Sequence, residues 1–95
     1  MRLVWTPRYL KELDGIGDYI AERNPRAAAK VVRTIHQTTA RLLSANPYLG
    51  RNGEIEGTRE LVVSGLPYIV AYRVRDRQIE ILFVQHAARE WPPEI

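Results

Sequence analysis

The first half of the chain carries hydrophobic residues at helical spacing. One stripe recurs every three or four positions and consists of Leu10, Leu13, Ile16 and Ile20. It follows a Thr6-Pro7 pair, in which threonine can cap a helix N-terminus and proline can take the first helical position without losing a hydrogen bond. The pattern predicts an amphipathic helix that begins at Pro7 and covers another element.

A second stripe predicts a second helix, which starts with Asn24 as cap and Pro25 as first residue and ends at the segment SANP. The stripe consists of Ala28, Val31, Val32, Ile35, Thr39, Leu42 and Leu43. Because the two helices are joined by a short segment, they are expected to form an antiparallel hairpin. The following residues, 46–58, hold one proline, three glycines and two asparagines, and so predict a long loop without regular structure.

The hydrophobic period changes to that of strands after this loop. Three apolar runs separated by short turns predict an antiparallel meander, with strands at residues 59–63, 68–74 and 79–86. The last run is apolar on both sides toward its end, which is typical of a strand inside a sheet. The segment RLVW, Arg2–Trp5, predicts a fourth strand.

Helices that precede a run of strands predict an α+β fold of order β-α-α-β-β-β. In this fold the helical hairpin packs on one face of a small, mainly antiparallel sheet, and we expect the other face to be open. A chain of 95 residues suits a single domain, residues 1–95.

Composition narrows the setting of the protein. The chain has no cysteine, so a disulfide framework and thiolate metal sites are excluded and a reducing cytoplasm is the expected compartment. No run approaches the roughly 18 apolar residues of a membrane span. The net charge is +3, and twelve of the fourteen basic residues are arginine. This bias is typical of anion recognition, or equally of codon usage in a GC-rich genome.

Sequence motifs for cofactors, metals or covalent catalysis are not found. No GxSxG, GxGxxG, Walker loop or HExxH occurs, so we expect neither a cofactor nor a metal. His36 adjoins the second apolar stripe and is interpreted as a surface or packing histidine of the helix.

A set of polar and aromatic residues follows the predicted strand ends and the tail. The predicted topology would gather them on or near the open sheet face, and they are Arg59, Tyr72, Arg73, His86, Arg89 and Trp91. Arg51, in the glycine-rich loop, is interpreted as a turn residue that could reach an anion. The functional interpretation is a docking surface in which arginines meet acidic groups and Trp91 stacks or inserts. The structural alternative is a set of solvated strand ends and a tail folded over the core.

Several segments, taken in order, resemble a known family. P-x-x-G-R from Pro47, G-x-R-E-L from Gly57 and Y-x-V-x-Y-R-V from Tyr68 precede IEILFVQHAAREWP, and all follow a helical hairpin. This arrangement resembles the ParE/RelE superfamily of toxins from bacterial type II toxin-antitoxin modules, over nearly the whole chain. The resemblance implies a small toxin that is held inactive by a cognate antitoxin.

The superfamily divides by target. RelE-like members are ribosome-dependent mRNA endonucleases, and their chemistry needs a base, an acid and a cation. In a nuclease of this kind the catalytic candidates here are Arg59, Arg73, His86 and Arg89. Those nucleases commonly carry an arginine before a Leu-Val-Tyr in the strand that corresponds to residues 68–74, and this chain has Ile69 there. The C-terminal tail of this chain also lacks the run of basic residues and the closing tyrosine that are found in such nucleases.

ParE-like members poison DNA gyrase and need no catalytic residues. They resemble this chain better at the Gly50-Arg51 loop and in the strand at residues 68–74. The resemblance therefore favours a gyrase toxin without a catalytic residue. In this interpretation the target-binding residues are Arg51, Arg59, Tyr72, His86, Arg89 and Trp91. A third interpretation is a degenerate domain without toxicity that only binds an antitoxin.

The partner implied by the resemblance is an antitoxin, ParD-like or of another family, in a hetero-oligomer. A segment of it is expected to fold on the toxin, and the positive charge of the chain suits an acidic segment.

Overall fold

A computed structural model describes residues 1–89, 91 and 93 of the chain. In chain order the elements are β1 (Arg2–Trp5), α1 (Pro7–Ala21), α2 (Pro25–Ala45), β2 (Arg51–Asn52), β3 (Arg59–Val62), β4 (Tyr68–Arg75) and β5 (Gln78–His86). The predicted α+β class, the helical hairpin and the four predicted strands are confirmed.

Both helices begin where the cap residues predict. The Oγ1 atom of Thr6 accepts a hydrogen bond from the Tyr9 amide at 3.3 Å, and Oδ1 of Asn24 accepts one from the Ala27 amide at 3.1 Å. Proline follows each cap at the first turn. Within the part of the chain that the structure describes, neither helix is long and apolar enough to cross a membrane.

The sheet has five strands in the order β1-β5-β4-β3-β2. β1 runs parallel to β5, and all other neighbours are antiparallel. The prediction that residues 46–58 contain no regular element is wrong, because Arg51 and Asn52 pair with Glu60 and Arg59 as the short edge strand β2. The glycines and the proline of this segment do not prevent the pairing, because β2 needs only two residues.

The hydrophobic core lies between the hairpin and one face of the sheet, here called the helix face. From the helices it takes Tyr9, Leu13, Ile35 and Leu43. From the sheet it takes alternate strand residues, among them Leu61, Val70, Tyr72, Ile79, Ile81 and Val84. Because strand side chains alternate, the residues between these lie on the opposite face, here called the reverse face.

A β-bulge changes the direction of side chains within β5. Tyr72 pairs with Ile81, but its neighbour Ala71 pairs with Phe83, so Leu82 is an extra residue in the ladder. Simple alternation would place Phe83 on the same face as Ile79 and Ile81. The bulge instead places Phe83 on the reverse face and returns Val84 to the core.

The expectation of an open reverse face is wrong for the centre of the sheet. Glu60, Ile69, Ala71 and Phe83 all lie on this face, and all are buried. The chain itself covers Phe83: the Trp91 ring lies 5.4 Å from the Phe83 ring, and the Arg8 guanidinium lies 4.8 Å from it. The loop that precedes β3 also lines a hollow beside Phe83. The cover arises because Phe83 is too large an apolar group to leave in water.

The start of α1 covers the edge of β5 that β1 leaves unpaired. The Thr6 hydroxyl donates to the carbonyl oxygen of Ile81 at 2.6 Å. Further along, Oε1 of Glu12 accepts from the Val84 amide at 3.3 Å, and its Oε2 accepts from the Gln85 side chain at 3.0 Å. A helix side chain thus replaces the missing strand and protects the edge from pairing with another chain.

His36 packs in the interior side of α2, as the sequence predicts. Its ring centroid lies 4.0 Å from that of Trp5, and its Nδ1 is 3.0 Å from the Tyr9 phenol oxygen. Burial lowers the pKa of His36 below its ordinary value, and burial raises the pKa of Tyr9, so both groups favour the neutral form.

This arrangement predicts that acid destabilises the fold through His36. Because the folded pKa of His36 lies below the unfolded value of 6.5, its contribution to stability is present above that pH and is lost as the pH falls through the folded pKa. Urea unfolding across this range should show the loss in the wild type and a weaker loss in His36→Gln. The control His86→Gln should keep it, whereas an unchanged pH slope in His36→Gln would contradict the assignment.

Candidate functional site

The structure divides the predicted site residues among four places. Arg51 and Trp91 meet at Glu60 on the reverse face, while Arg59 and Tyr72 meet at Gly50 on the helix side. The remaining three are Arg73 on the reverse face, and His86 and Arg89 at the end of β5. The single cluster that the topology suggested is therefore not formed.

Glu60 is the centre of the first group and was not singled out from the sequence. It is only 5% exposed. Its Oε1 accepts from Arg51 Nε at 3.1 Å, and its Oε2 accepts from Trp91 Nε1 at 2.7 Å and from the Glu54 amide at 3.3 Å. A buried carboxylate is tolerated only when such donors replace water. Glu60 consequently joins β2, the loop after it and the C-terminal segment.

Trp91 is held on the reverse face by two contacts. The indole N–H reaches Glu60, and the ring packs beside Phe83, whose other contact is the cation of Arg8. Glu90, Pro92, Glu94 and Ile95 lie outside the described residues. The sequence offers one signal for this pairing. Glu60 is a carboxylate within an apolar strand, and the tail has one tryptophan, whose N–H group can donate to it.

Arg59 and Tyr72 form the second group, which shapes the loop before β2. The amide of Gly50 donates to the phenol oxygen of Tyr72 at 2.8 Å, and Tyr72 is fully buried. Nη1 of Arg59 donates to the carbonyl oxygens of Gly50 at 2.8 Å and Tyr48 at 3.2 Å. The guanidinium also lies 5.2 Å from the Tyr48 ring centroid. Both predicted residues thus bind the loop of their own chain.

Burial raises the pKa of Tyr72, although the Gly50 amide and the Arg59 charge oppose this effect. The phenol therefore stays protonated near neutral pH. Since the ring has no exposed surface, it has no access to an external substrate.

Arg73 lies at a third position on the reverse face, separate from the first two groups. Its Nε donates to Oε1 of Glu80 at 2.5 Å, and Nε of Arg75 lies 3.4 Å from the same oxygen. The hydrogen bond from Arg73 lowers the pKa of Glu80. The carboxylate remains ionised at neutral pH and offsets much of the positive charge that Arg73 brings to this face.

His86 and Arg89 lie beside α1 at the end of β5. His86 pairs with Tyr68 in the ladder, and their rings meet edge to face at 5.4 Å. Nδ1 of His86 accepts a hydrogen bond from the Ala88 amide at 3.0 Å. Arg89 is exposed and lines the same hollow as His86.

The structure does not bring the four nuclease candidates together at one place. Of the four nuclease candidates, only His86 and Arg89 share a hollow among the described residues, whereas Arg59 and Arg73 are held elsewhere by internal partners. Within residues 1–89, 91 and 93, no three histidine, aspartate or glutamate side chains are grouped to hold a metal ion.

A solved structure has the same fold. In the chromosomal ParDE TA system from P. aeruginosa, one chain is similar with a TM-score of 0.83 and 32% identity, over 90% of this chain and 95% of that one. The helical hairpin and the sheet, together with this likeness, place the chain in the class of type II toxin-antitoxin toxins. The family model described as ParE toxin of type II toxin-antitoxin system, parDE, matches residues 3–91, and the chain belongs to this family.

Two curated relatives agree with the family. "Putative toxin Y4kP" of Sinorhizobium fredii is 48% identical over 91 residues, which cover 96% of this chain and 93% of the relative. "Toxin RelE2" of Caulobacter vibrioides is 39% identical over 88 residues, with coverage of 93% and 97%. The resemblance to the ParE/RelE superfamily that the sequence indicated is confirmed.

Proposed function

We propose that this protein arrests bacterial growth by binding DNA gyrase and stabilising its cleaved complex with DNA. The family match over residues 3–91 supports a toxin of the ParE type. Since one relative is named Toxin RelE2, the choice of target rests on the side chains.

The observation that carries the choice is the separation of the four candidate catalytic groups. Arg59 donates to two loop carbonyl oxygens and Arg73 pairs with Glu80, so two of the four are held by their own chain away from His86 and Arg89. Cleavage of RNA by its own 2′-hydroxyl needs a base, an acid and a cation around one phosphate. Side chains that are fixed at separate positions do not surround one phosphate, whereas a toxin that only binds its target does not need such a cluster.

A supercoiling and cleavage assay with purified gyrase tests this proposal. Toxin in excess should inhibit supercoiling and increase the linear DNA released from cleavage complexes, and prior addition of antitoxin should prevent both effects. If gyrase activity and cleavage complexes stay unchanged at high excess of toxin, gyrase is not the target.

A ribosome-dependent mRNA endonuclease is the second candidate, because His86 and Arg89 line one hollow. It predicts new mRNA ends at the ribosomal A site after induction, and their loss in His86→Ala. Primer extension on translated mRNA without such ends would remove this candidate. A non-toxic antitoxin-binding domain is the third, and growth arrest on induction without antitoxin would exclude it.

The partner that we propose is a cognate antitoxin with an acidic segment, in a hetero-oligomer in the bacterial cytoplasm. The ParDE system of the structural neighbour supports a ParD-like antitoxin. Large apolar side chains remain exposed on the surface: Leu10, Tyr19, Tyr48, Leu49 and Val62. An interface of about 1,000 Å² at roughly 25 cal/mol per Å² would give about 25 kcal/mol before the costs of ordering and association.

A further inference from the structure

A hollow between α1 and the end of β5 has the features of a built binding site. It is called the α1–β5 hollow here, has a volume of about 630 Å³, and is more enclosed than the groove between the two helices. Its lining includes Gly15, Ile16, Tyr19, Tyr68, His86 and Arg89. Both apolar and polar side chains line it, which is typical of sites that recognise a side chain with a charged end.

Gly15 opens the α1–β5 hollow from the side of the helix. A Cβ atom at this position would meet no other atom within 4 Å, so the space beside the helix backbone is empty. The glycine is inside α1 and outside the positive-φ region, so the helix itself does not require it. The missing side chain leaves room for a ligand to approach the helix backbone.

The polar groups of the hollow are mainly hydrogen-bond donors. Because Nδ1 of His86 accepts the Ala88 amide, the neutral ring carries its proton on Nε2, which can donate. Burial and, to a smaller extent, the nearby Tyr19 raise the pKa of Tyr68, so the phenol of Tyr68 also stays protonated. Arg89 adds a positive charge at the rim.

Among the described residues that line the hollow, Glu12 is the one that carries a carboxylate, and both of its oxygens accept hydrogen bonds. Oε1 accepts the Val84 amide, and Oε2 accepts the Gln85 side chain, with Arg8 3.6 Å away. These partners offset its negative charge. Beside the side-chain oxygen of Gln85, the capacity that remains toward a ligand consists of donors, a cation and the exposed ring of Tyr19, which is 67% accessible.

We propose that the α1–β5 hollow binds an acidic side chain of the antitoxin, together with an apolar side chain next to it in the antitoxin segment. His86, Tyr68 and Arg89 would donate to the carboxylate, while Ile16 and Tyr19 would contact the apolar neighbour. Charge complementarity selects this partner, because the chain carries a net charge of +3 and the hollow offers donors to an anion. The inference rests on the proposed function, since it assigns a place to the proposed antitoxin.

Gly15→Trp places a large ring beside the hollow from a Cβ position that meets no toxin atom within 4 Å, and it replaces a poor helix former by a better one. Calorimetric titration with the full-length antitoxin encoded beside the toxin gene should show affinity weakened by about 30-fold or more, as for loss of a hot spot. Asp14→Trp is the matched control, because it places the same ring on α1 at a position that does not line the hollow. It should bind like the wild type. Circular dichroism should show that both variants are folded.

Arg89→Glu tests the charge separately and does not depend on the folding of the glycine variant. It should weaken the affinity more than Arg89→Ala, because it places a carboxylate against the incoming one. Wild-type affinity in folded Gly15→Trp, or equal losses in the two arginine variants, would overturn the inference and leave the antitoxin partner standing. Absence of binding by the wild-type toxin would overturn the antitoxin partner and the inference together.

Discussion

Replacing Gly50 by alanine is expected to lower the free energy of unfolding by about 3 kcal/mol or more, from overpacking and a lost buried hydrogen bond. An added Cβ would lie 2.7 Å from the Tyr72 phenol oxygen and 2.8 Å from the carbonyl oxygen of Glu60. Neither group can move away easily, because Tyr72 is fully buried and the second oxygen belongs to the ladder of β3. The shift would also weaken the bond from the Gly50 amide to Tyr72.

Urea unfolding and calorimetry would measure this change. For a domain of this size a loss of 3 kcal/mol corresponds to a melting temperature lower by roughly 12–24 °C. Gly15→Ala is the matched control, since its Cβ meets nothing and a helix-interior alanine is about 1 kcal/mol more favourable than glycine. Opposite signs are expected for the two variants. A Gly50→Ala protein as stable as the wild type would contradict the close packing of this loop.

Replacing Trp91 by alanine is expected to remove growth arrest while the domain stays folded. The change deletes the N–H donor to Glu60 and the ring beside Phe83. A hydrogen bond to a charged group contributes about 1.5–3 kcal/mol, which is less than the 5–15 kcal/mol that typically stabilises a domain. The contacts that hold residue 91 against Glu60 and Phe83 would be lost, and with them the part of the proposed target-binding surface that Trp91 forms.

Growth after induction and the melting temperature should be measured together. Trp91→Phe keeps a ring against Phe83 but removes the N–H group, so it should retain part of the toxicity. Binding of antitoxin by Trp91→Ala would show that the protein is still folded. Full growth arrest by Trp91→Ala, at equal protein level, would show that the position of the tail is irrelevant to the target.

The helices and their ends could be predicted from the sequence because local physics determines them. Thr6 and Asn24 cap the helices within three residues, and the apolar stripes repeat within one or two turns. The strand runs were predicted to within a residue or so for the same reason: their period is two. The segment Arg2–Trp5 was predicted as a fourth strand from its apolar residues, but its parallel pairing with β5 was not predicted.

The features that escaped prediction depend on distant residues. Only the ladder with β4 reveals that Leu82 is an extra residue, and this bulge turns Phe83 to the reverse face. Glu60 and Trp91 are 31 positions apart, so no local pattern indicates their bond. The division of the candidate site has the same origin. Because side chains alternate along β3 and β4, Arg59 and Arg73 lie on opposite faces of the sheet. The bulge at Leu82 changes the face of the residues that follow it in β5, so His86 does not share the face of Arg73.

One culture can test the central claim, that this protein is a toxin which binds gyrase rather than one which cuts mRNA. Shortly after induction without antitoxin, gyrase-linked breaks in the chromosome and the 5′ ends of translated mRNA are mapped in the same cells. We predict that breaks linked covalently to gyrase accumulate and that mRNA ends at the ribosomal A site do not change. New A-site ends that disappear in His86→Ala, without gyrase-linked breaks, would contradict the account.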